Sequence, residues 1–129
     1  MRLLLDTHIW LWSVAAPDRL TSKVRRALEK PGRELWLSAI STWELVLLLE
    51  KGRISIDGHL EAWLPKAQHS LREAPLTHEI AAAAADLRLP HGDPADRLLV
   101  ATARVLHLTL VTADERLIAA KHVPTLANL

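Results

Sequence analysis

Cysteine, phenylalanine and tyrosine are missing from this sequence. Without cysteine there can be no disulfide, thiolate metal site or cysteine nucleophile, which suits an intracellular protein. Because phenylalanine and tyrosine are also absent, five tryptophans supply all the aromatic surface. We expect them to serve core or interface packing more than stacking on unpaired bases.

An excess of either charge and a long apolar run are also missing. The chain has sixteen Lys and Arg and fifteen Asp and Glu, which gives a formal net charge of +1. Any attraction to nucleic acid must therefore be local. The longest apolar stretches, 45–49 and 80–85, fall far short of the roughly 20 residues of a membrane helix. A strand-like run follows Met1 and Arg2 without a signal-like segment. We therefore expect one soluble, cytoplasmic domain over residues 1–129.

Strand-like and helix-like segments alternate along the chain, with a turn predicted at 90–92. This alternation predicts an α/β fold with three layers, in which helices cover both faces of a central, mostly parallel sheet of four to five strands. The predicted strands are 3–5, 34–38, 73–76, 109–112 and 123–126, and the predicted helices are 7–16, 21 or 22–30, 41–51, 59–70, 77–87, 93–106 and 115–120.

Four acidic residues recur where a strand-like segment gives way to a helix-like one. The carboxyl ends of parallel strands gather along one edge of the sheet, so these side chains are expected to lie together there. Carboxylate oxygens are the ligands that hard divalent cations prefer. The four residues are Asp6, Glu44, Asp96 and Asp114.

Helix capping offers a simpler interpretation of each acid taken singly. Ser41 and Glu44 have the spacing of a capping box, in which Glu44 reaches back to the N–H of Ser41. Asp93 precedes Pro94 as an ordinary N-cap would, and Asp6 and Asp114 can cap the helices that follow them. Four carboxylates brought together nevertheless repel one another unless a cation neutralises them, and this favours a metal site.

The order and spacing of four segments resemble those of the PIN-domain nucleases, specifically the VapC-like toxins of type II toxin-antitoxin pairs. The resemblance covers nearly the whole chain, and the family's four acids fall on Asp6, Glu44, Asp96 and Asp114. Thr112 matches a hydroxyl residue that the family keeps beside the fourth acid. The four segments are 3–8 (LLLDTH), 38–45 (SAISTWEL), 91–103 (HGDPADRLLVATA) and 110–114 (LVTAD).

This resemblance implies a metal-dependent endoribonuclease that hydrolyses RNA phosphodiester bonds and acts as the toxin of a toxin-antitoxin pair. The implied cofactor is Mg²⁺, with Mn²⁺ as a substitute. Asp6 and Asp96 are the expected direct ligands, while Glu44 and Asp114 complete a second site or orient waters. The resemblance also implies a homodimer, and a cognate antitoxin peptide lying along the first helices, for which the apolar residues of 7–16 and 41–51 are suited.

Several neighbours of the four acids are candidates for supporting roles. Asp93 is an extra acid three residues before Asp96, and we favour capping for it over metal binding. A zinc site is improbable, because no histidine pair has helical ligand spacing. Thr7, Thr112 and Asp93 are the possible supporting residues, and Arg97 and Arg116 are possible substrate-binding residues that would hold the phosphate backbone.

Two alternatives from other functional classes remain open. One is a module that binds RNA or a protein without cleaving it, although the presence of all four acids argues against this reading. The other is an Asp-based phosphotransfer domain of the haloacid-dehalogenase or receiver type, which also places Asp at the end of the first strand. Dehalogenase-like phosphatases want a second Asp two residues later, where this chain has His8.

Overall fold

A computed structural model describes residues 1–89 and 93–129, so the turn predicted at 90–92 lies outside the described residues. Strands and helices alternate, as the sequence predicted, and a short 3₁₀ turn at Pro17–Arg19 follows the first helix. The strands are β1 (Arg2–Leu5), β2 (Glu34–Ser38), β3 (Arg72–Ala74), β4 (Thr109–Thr112) and β5 (Thr125–Ala127). The helices are α1 (Thr7–Ala15), α2 (Ser22–Glu29), α3 (Ala39–Glu50), α4 (Leu60–Ala67), α5 (His78–Asp86), α6 (Pro94–Val105) and α7 (Glu115–Ala120).

The five strands form one sheet in the order β3-β2-β1-β4-β5, and every pairing in it is parallel. β1 lies at the centre, where Leu4 faces Trp36 of β2 on one side and Leu110 of β4 on the other. Since all the strands run the same way, their carboxyl ends share one edge. The prediction of a mostly parallel central sheet is confirmed.

Two hydrophobic cores sandwich this sheet. Alternate residues of a strand point to opposite faces, and Leu3 and Leu5 accordingly enter one core while Leu4 enters the other. The first core contains buried side chains of α1, α2, α3 and α4, and the second contains those of α5, α6 and α7. This gives the predicted three-layer α/β/α arrangement. Within the described part of the chain, no helix has the length and apolar character needed to span a bilayer.

The start of α3 differs from the prediction. Ser38 is the N-cap, and its Oγ accepts a hydrogen bond from the N–H of Ile40 (3.1 Å). α3 therefore begins at Ala39, two residues before the predicted start at 41, and Ser41 lies inside the helix with no exposed surface. The capping box predicted for Ser41 and Glu44 is wrong, because Ser38 takes the capping position at the end of β2.

Other boundaries shift by a few residues. α4 is shorter than predicted at both ends, β3 starts one residue earlier, and β5 covers 125–127 in place of 123–126. The buried side chain of Asn128 follows β5. Its Oδ1 accepts from the N–H of Thr21 (2.7 Å) and its Nδ2 donates to the carbonyl of Arg19 (3.1 Å). This side chain ties the segment after β5 to the start of α2.

Trp10 is the largest fully buried side chain of the first core. Its indole N–H donates to the carbonyl oxygen of Ala67 (2.8 Å), the last residue of α4, where a helix leaves carbonyl groups without a partner. The ring of Trp63 packs against it at a centroid distance of 6.0 Å. Trp12 packs against the margin of the same core and is half-buried beneath the guanidinium of Arg19, which lies 4.5 Å from the ring centroid. Trp10 is thus fully buried, whereas Trp12 contacts Arg19 of the 3₁₀ turn at Pro17–Arg19.

We expect Trp10→Phe to lower the free energy of unfolding by about 2–4 kcal/mol, since it leaves the Ala67 carbonyl unpaired and opens a small cavity. Urea denaturation measures this loss. The control is Val14→Ala, because the Val14 side chain is 42% exposed and its replacement should change stability by no more than about 0.5 kcal/mol. Equal losses in the two variants would contradict this account of Trp10.

Candidate active site

Asp6 lies where β1 ends and α1 begins, so it serves both as a helix cap and as part of the strand edge. Its N–H donates to the carbonyl of Val111 in β4 (3.0 Å). Its carboxylate accepts two hydrogen bonds, one at Oδ1 from the N–H of Thr7 (2.7 Å) and one at Oδ2 from the hydroxyl of Thr112 (2.7 Å). The central strand and its neighbour β4 thus fix this side chain.

Burial dominates the electrostatics of Asp6. Desolvation raises the pKa of its carboxyl above the ordinary value of 3.8, and the charge of Asp114 raises it further. The hydrogen bonds from Thr112 and Thr7 and the charge of His8 lower it without cancelling the effect of burial. Ionisation of Asp6 therefore lowers the stability of the folded protein.

Glu44 reaches the same region from α3. Its Oε1 accepts a hydrogen bond from the hydroxyl of Thr7 (2.6 Å). The pKa of Glu44 lies above its ordinary value, and desolvation by burial is the largest cause. The hydrogen bond from Thr7 lowers this pKa, whereas the negative charges of Asp6, Asp96 and Asp93 raise it further. These charges act on Glu44 because α3 and the start of α6 bring their acids to the edge where β1 ends.

Asp114 follows β4 and caps α7. Its Oδ1 accepts from the N–H of Arg116 (2.9 Å), and its Oδ2 forms an ion pair with the Arg116 guanidinium (3.3 Å). Its own N–H donates to the hydroxyl of Thr112 (3.0 Å). Burial alone would raise the pKa of Asp114, but the hydrogen bonds and charge of Arg116 outweigh it, so the pKa lies below its ordinary value.

Asp93 and Asp96 both belong to the start of α6. Asp93 is the N-cap, and its exposed carboxylate accepts from the N–H of Ala95 (2.9 Å), which agrees with the capping role that we favoured. Asp96 lies in the first turn and is half-buried. We call the set of Asp6, Glu44, Asp96 and Asp114 the acidic rim. The structure brings these four residues together at the carboxyl edge of the sheet.

The donor set of the acidic rim fits a hard divalent cation, since it offers carboxylate oxygens whose mutual repulsion an ion would relieve. Over residues 1–89 and 93–129, however, no three His, Asp or Glu side chains already stand in a position to hold one ion. The oxygens of Asp6 and Asp114 face backbone and side-chain donors instead. These side chains must turn towards one another before three of them can ligate a single cation.

The two predicted substrate-binding arginines differ in position. Arg116 stands at the acidic rim through its pairing with Asp114, and its side chain is 58% exposed. Arg97 is half-buried and lines a cavity with alanines of α5, and its buried Nε has no hydrogen-bond partner in the described part of the chain. Arg116 is therefore better placed than Arg97 to meet a phosphate at the rim.

Sequence reasoning assigned Ser41 to a capping box and so missed its place in the site. Ser41 is fully buried, and its Oγ lies 2.8 Å from the hydroxyl oxygen of Thr7. A hydroxyl residue three positions before Glu44 on one helix shares a face with it, and this spacing was the available signal.

The fold and the acidic rim define a class of protein, namely a three-layer α/β domain with a carboxylate site at the carboxyl edge of a parallel sheet. The model of the PIN domain matches residues 3–123. The chain belongs to the PIN-domain family.

Similar proteins place it among the VapC-like members of that family. The chain is 39% identical over 121 residues to a protein named Ribonuclease VapC22 from Mycobacterium tuberculosis (strain ATCC 25618 / H37Rv), covering 93% of this chain and 92% of that one. A DNA-bound VapBC structure from Salmonella typhimurium has a TM-score of 0.75 at 15% identity, covering 100% of this chain and 99% of that chain. VapBC2 from Rickettsia felis, bound to a DNA fragment from its promoter, has a TM-score of 0.74 at 16% identity and 98% coverage of both chains. The two structures share the fold.

We expect Asp6→Asn to raise the melting temperature of the metal-free protein at pH 7 by roughly 2–5 °C. A carboxyl whose pKa is raised in the folded state binds its proton more tightly there. Stability therefore falls as pH rises from 3.8 through the folded pKa, and the loss persists above it. Asparagine removes the charge that causes this loss.

The measurement is thermal unfolding in EDTA at pH 7 and at pH 4, where the advantage of the variant should shrink. The exposed loop residue Asp57 provides the control Asp57→Asn, for which we expect no such gain. A less stable Asp6→Asn protein at pH 7 would show that burial of the charge is not the dominant effect.

Proposed function

We propose that this chain is a metal-dependent endoribonuclease that hydrolyses RNA phosphodiester bonds and acts as the toxin of a toxin-antitoxin pair. The observation that carries the proposal is the placement of the four acids at or near the starts of α1, α3, α6 and α7, along the carboxyl edge of the sheet. The charges of Asp6 and Asp96 raise the pKa of Glu44, and that of Asp114 raises the pKa of Asp6. Acids crowded in this way suit a cation site, and the relative that is 39% identical is named a ribonuclease.

Asp6 and Asp96 are the proposed direct ligands of Mg²⁺ or Mn²⁺, with Glu44 and Asp114 completing the set or orienting waters. The cation, once bound, supplies charge neutralisation at the phosphate and activation of the attacking water. The reaction forms one bond from the water oxygen to phosphorus and breaks one ester P–O bond, whose oxygen leaves with a proton. No side chain needs to form a covalent intermediate.

Arg116 has a proposed role in holding the substrate phosphate. It is paired with Asp114 in this structure, but the Arg116 side chain is 58% exposed, so solvent weakens the pair and little energy is needed to separate it. A phosphate arriving at the rim offers the guanidinium a second anion, and Arg116 can then turn from Asp114 to the substrate. Asp114 is thereby released to face the rest of the rim.

The two alternative functions are less well supported. The strand order β3-β2-β1-β4-β5 differs from the 2-1-3-4-5 order of receiver domains, which disfavours the receiver type of phosphotransfer. The dehalogenase type is disfavoured by His8, which stands where those phosphatases have a second Asp. A non-catalytic module that binds RNA or protein would have no need of four mutually repelling carboxylates. The cleavage experiment below distinguishes such a module from a nuclease.

An antitoxin is the proposed protein partner, and both would act in the cytoplasm. Two of the solved structures with this fold are VapBC complexes. The expected groove needs one revision, because Ile9, Trp10 and Leu11 of α1 are buried in the chain's own core. α3 suits a partner better, since Val46 and Leu47 are apolar and only half-buried. A peptide lying along α3 towards its N-terminus would reach Glu44.

A homodimer is also proposed, through an apolar surface beside the rim. Trp43 and Leu76 are 54% and 48% exposed, and a contiguous apolar surface of this kind marks an interaction site. A shallow cavity of about 410 Å³ runs between them. We call this the Trp43 surface, and its lining residues are Ala39, Ile40, Trp43, Leu76, Pro94, Ala95 and Leu98.

We expect the wild type to cut a structured RNA pool with Mg²⁺ or Mn²⁺ and to stop in EDTA. Asp6→Asn should lower the cleavage rate by at least about 100-fold, because it keeps the shape and removes a ligand charge. Gel analysis of the RNA after incubation measures both effects.

Asp57→Asn is the matched control for this experiment. Asp57 is an exposed residue of the loop between α3 and α4 and does not belong to the acidic rim. This variant should cleave as the wild type does. Tight RNA binding without cleavage in either metal would favour the non-catalytic module, and equal cleavage by Asp6→Asn would point to a contaminating nuclease.

We expect Trp43→Ser to convert a dimer into a monomer without loss of the fold, because the change removes the largest apolar side chain of the Trp43 surface. Light scattering after size-exclusion chromatography gives the mass, and circular dichroism checks folding. The control is Val14→Ser, since Val14 is 42% exposed but lies on α1 outside this surface. A monomeric wild type would refute the proposed dimer, and a dimeric Trp43→Ser protein would refute this surface.

A further inference from the structure

Thr7 contacts two acids that belong to different parts of the fold. As the first residue of α1, it donates its backbone N–H to Asp6 Oδ1 (2.7 Å). Its hydroxyl lies 2.6 Å from Glu44 Oε1 on α3. The side chain of Thr7 is buried, with 2% of the residue exposed, so water cannot easily replace either bond. One residue thus spans the first and second acids of the rim.

Ser41 determines which way the Thr7 hydroxyl points. Ser41 Oγ lies 2.8 Å from Thr7 Oγ1, and Ser41 has no exposed surface. A hydroxyl group has only one proton to donate, and the carboxylate of Glu44 is the stronger and closer acceptor for that of Thr7. Ser41 must then donate to the Thr7 oxygen, and a donor on that oxygen strengthens the bond to Glu44.

Thr112 makes the matching link on the other side of Asp6. Its hydroxyl donates to Asp6 Oδ2 (2.7 Å) and accepts from the N–H of Asp114 (3.0 Å). The hydrogen bonds therefore run continuously from Glu44 through Thr7, Asp6 and Thr112 to Asp114. Each threonine donates its hydroxyl proton to one carboxylate of the rim, Thr7 to Glu44 and Thr112 to Asp6, while the link from Thr112 to Asp114 runs through the backbone N–H of Asp114.

We propose that Thr7, oriented by Ser41, is a positioning residue that sets the separation of Asp6 and Glu44 and thereby the affinity of the acidic rim for a divalent cation. This inference rests on the proposed function. The hydroxyl of Thr7 acts on cation affinity through Glu44, and the methyl group of Thr7 does not contribute to that affinity. Loss of the hydroxyl frees the Glu44 carboxylate to swing away from Asp6.

The test is Mn²⁺ binding by titration calorimetry, without RNA, to the full chain. We expect Thr7→Val, which keeps the shape and loses the hydroxyl, to bind Mn²⁺ about 10–100-fold more weakly. Thr7→Ser should bind within about threefold of the wild type, since it keeps the hydroxyl. Ser41→Ala should fall between the two, because it removes only the group that orients Thr7.

Thr102→Val is the matched control. Thr102 is as buried as Thr7, with 1% exposed, but its hydroxyl bonds the carbonyl of Leu98 within α6 (2.7 Å) and not a carboxylate. Mn²⁺ affinity should survive this change. RNA cleavage gives a second readout, in which Thr7→Val should lower kcat and leave the KM for RNA within about threefold.

Two results would overturn the inference while the proposed function stood. In one, the wild type binds Mn²⁺ and Thr7→Val binds it equally well. In the other, Thr7→Ser is as weak as Thr7→Val, which would assign the effect to packing of the methyl group. A wild type that neither binds Mn²⁺ nor cleaves RNA would refute the proposed function, and the inference would fall with it. If Thr7→Val does not fold, Ser41→Ala and Thr7→Ser decide between these outcomes.

Discussion

Repulsion between carboxylates at the carboxyl edge of the sheet is the constraint around which this site is built. The half-buried Asp6 directly follows β1, and its pKa is raised mainly by desolvation. The helices α3, α6 and α7 bring further acids to the same edge. Hydrogen bonds from Thr7 and Thr112 offset part of that cost. Helix capping also stabilises the negative charges of Asp6 and Asp114, since each of these residues is an N-cap whose side chain accepts from a backbone N–H. Capping and a cation site are compatible uses of one carboxylate, because its two oxygens carry about four lone-pair sites and can accept from a helix N–H while still offering lone pairs to a cation.

Elements defined by local chemistry were predicted well from the sequence. The apolar run before Asp6 is buried in the central strand, and β2, β4 and α7 have the predicted bounds. The edge position of all four acids followed from the alternation of strands and helices. α3 was placed two residues late, because Ser38 and Ser41 are both capable N-caps. Only the length of β2, which pairs as far as Ser38, decides between them.

Contacts between distant parts of the chain were harder to predict. Ser41 meets Thr7 across 34 positions, and this contact depends on how α1 packs against α3. Arg97 follows Asp96 in the sequence, but this closeness did not predict the position of its side chain. Successive residues of a helix point about 100° apart, so Asp96 acts on Glu44 while Arg97 lies among the alanines of α5. Arg116 is two residues from an N-cap, a spacing that returns its side chain to Asp114.

The central position of β1 also governs when the site can form during synthesis. β1 is made first, yet its second neighbour β4 follows more than a hundred residues later, and Asp6 is 106 positions from Thr112. Asn128 then joins Thr21 across 107 positions. Contacts this distant form late. A nascent chain can pair β1 with β2 on the ribosome while Asp6 still lacks Thr112 and Asp114, so the acidic rim stays incomplete until residue 114 has been synthesised.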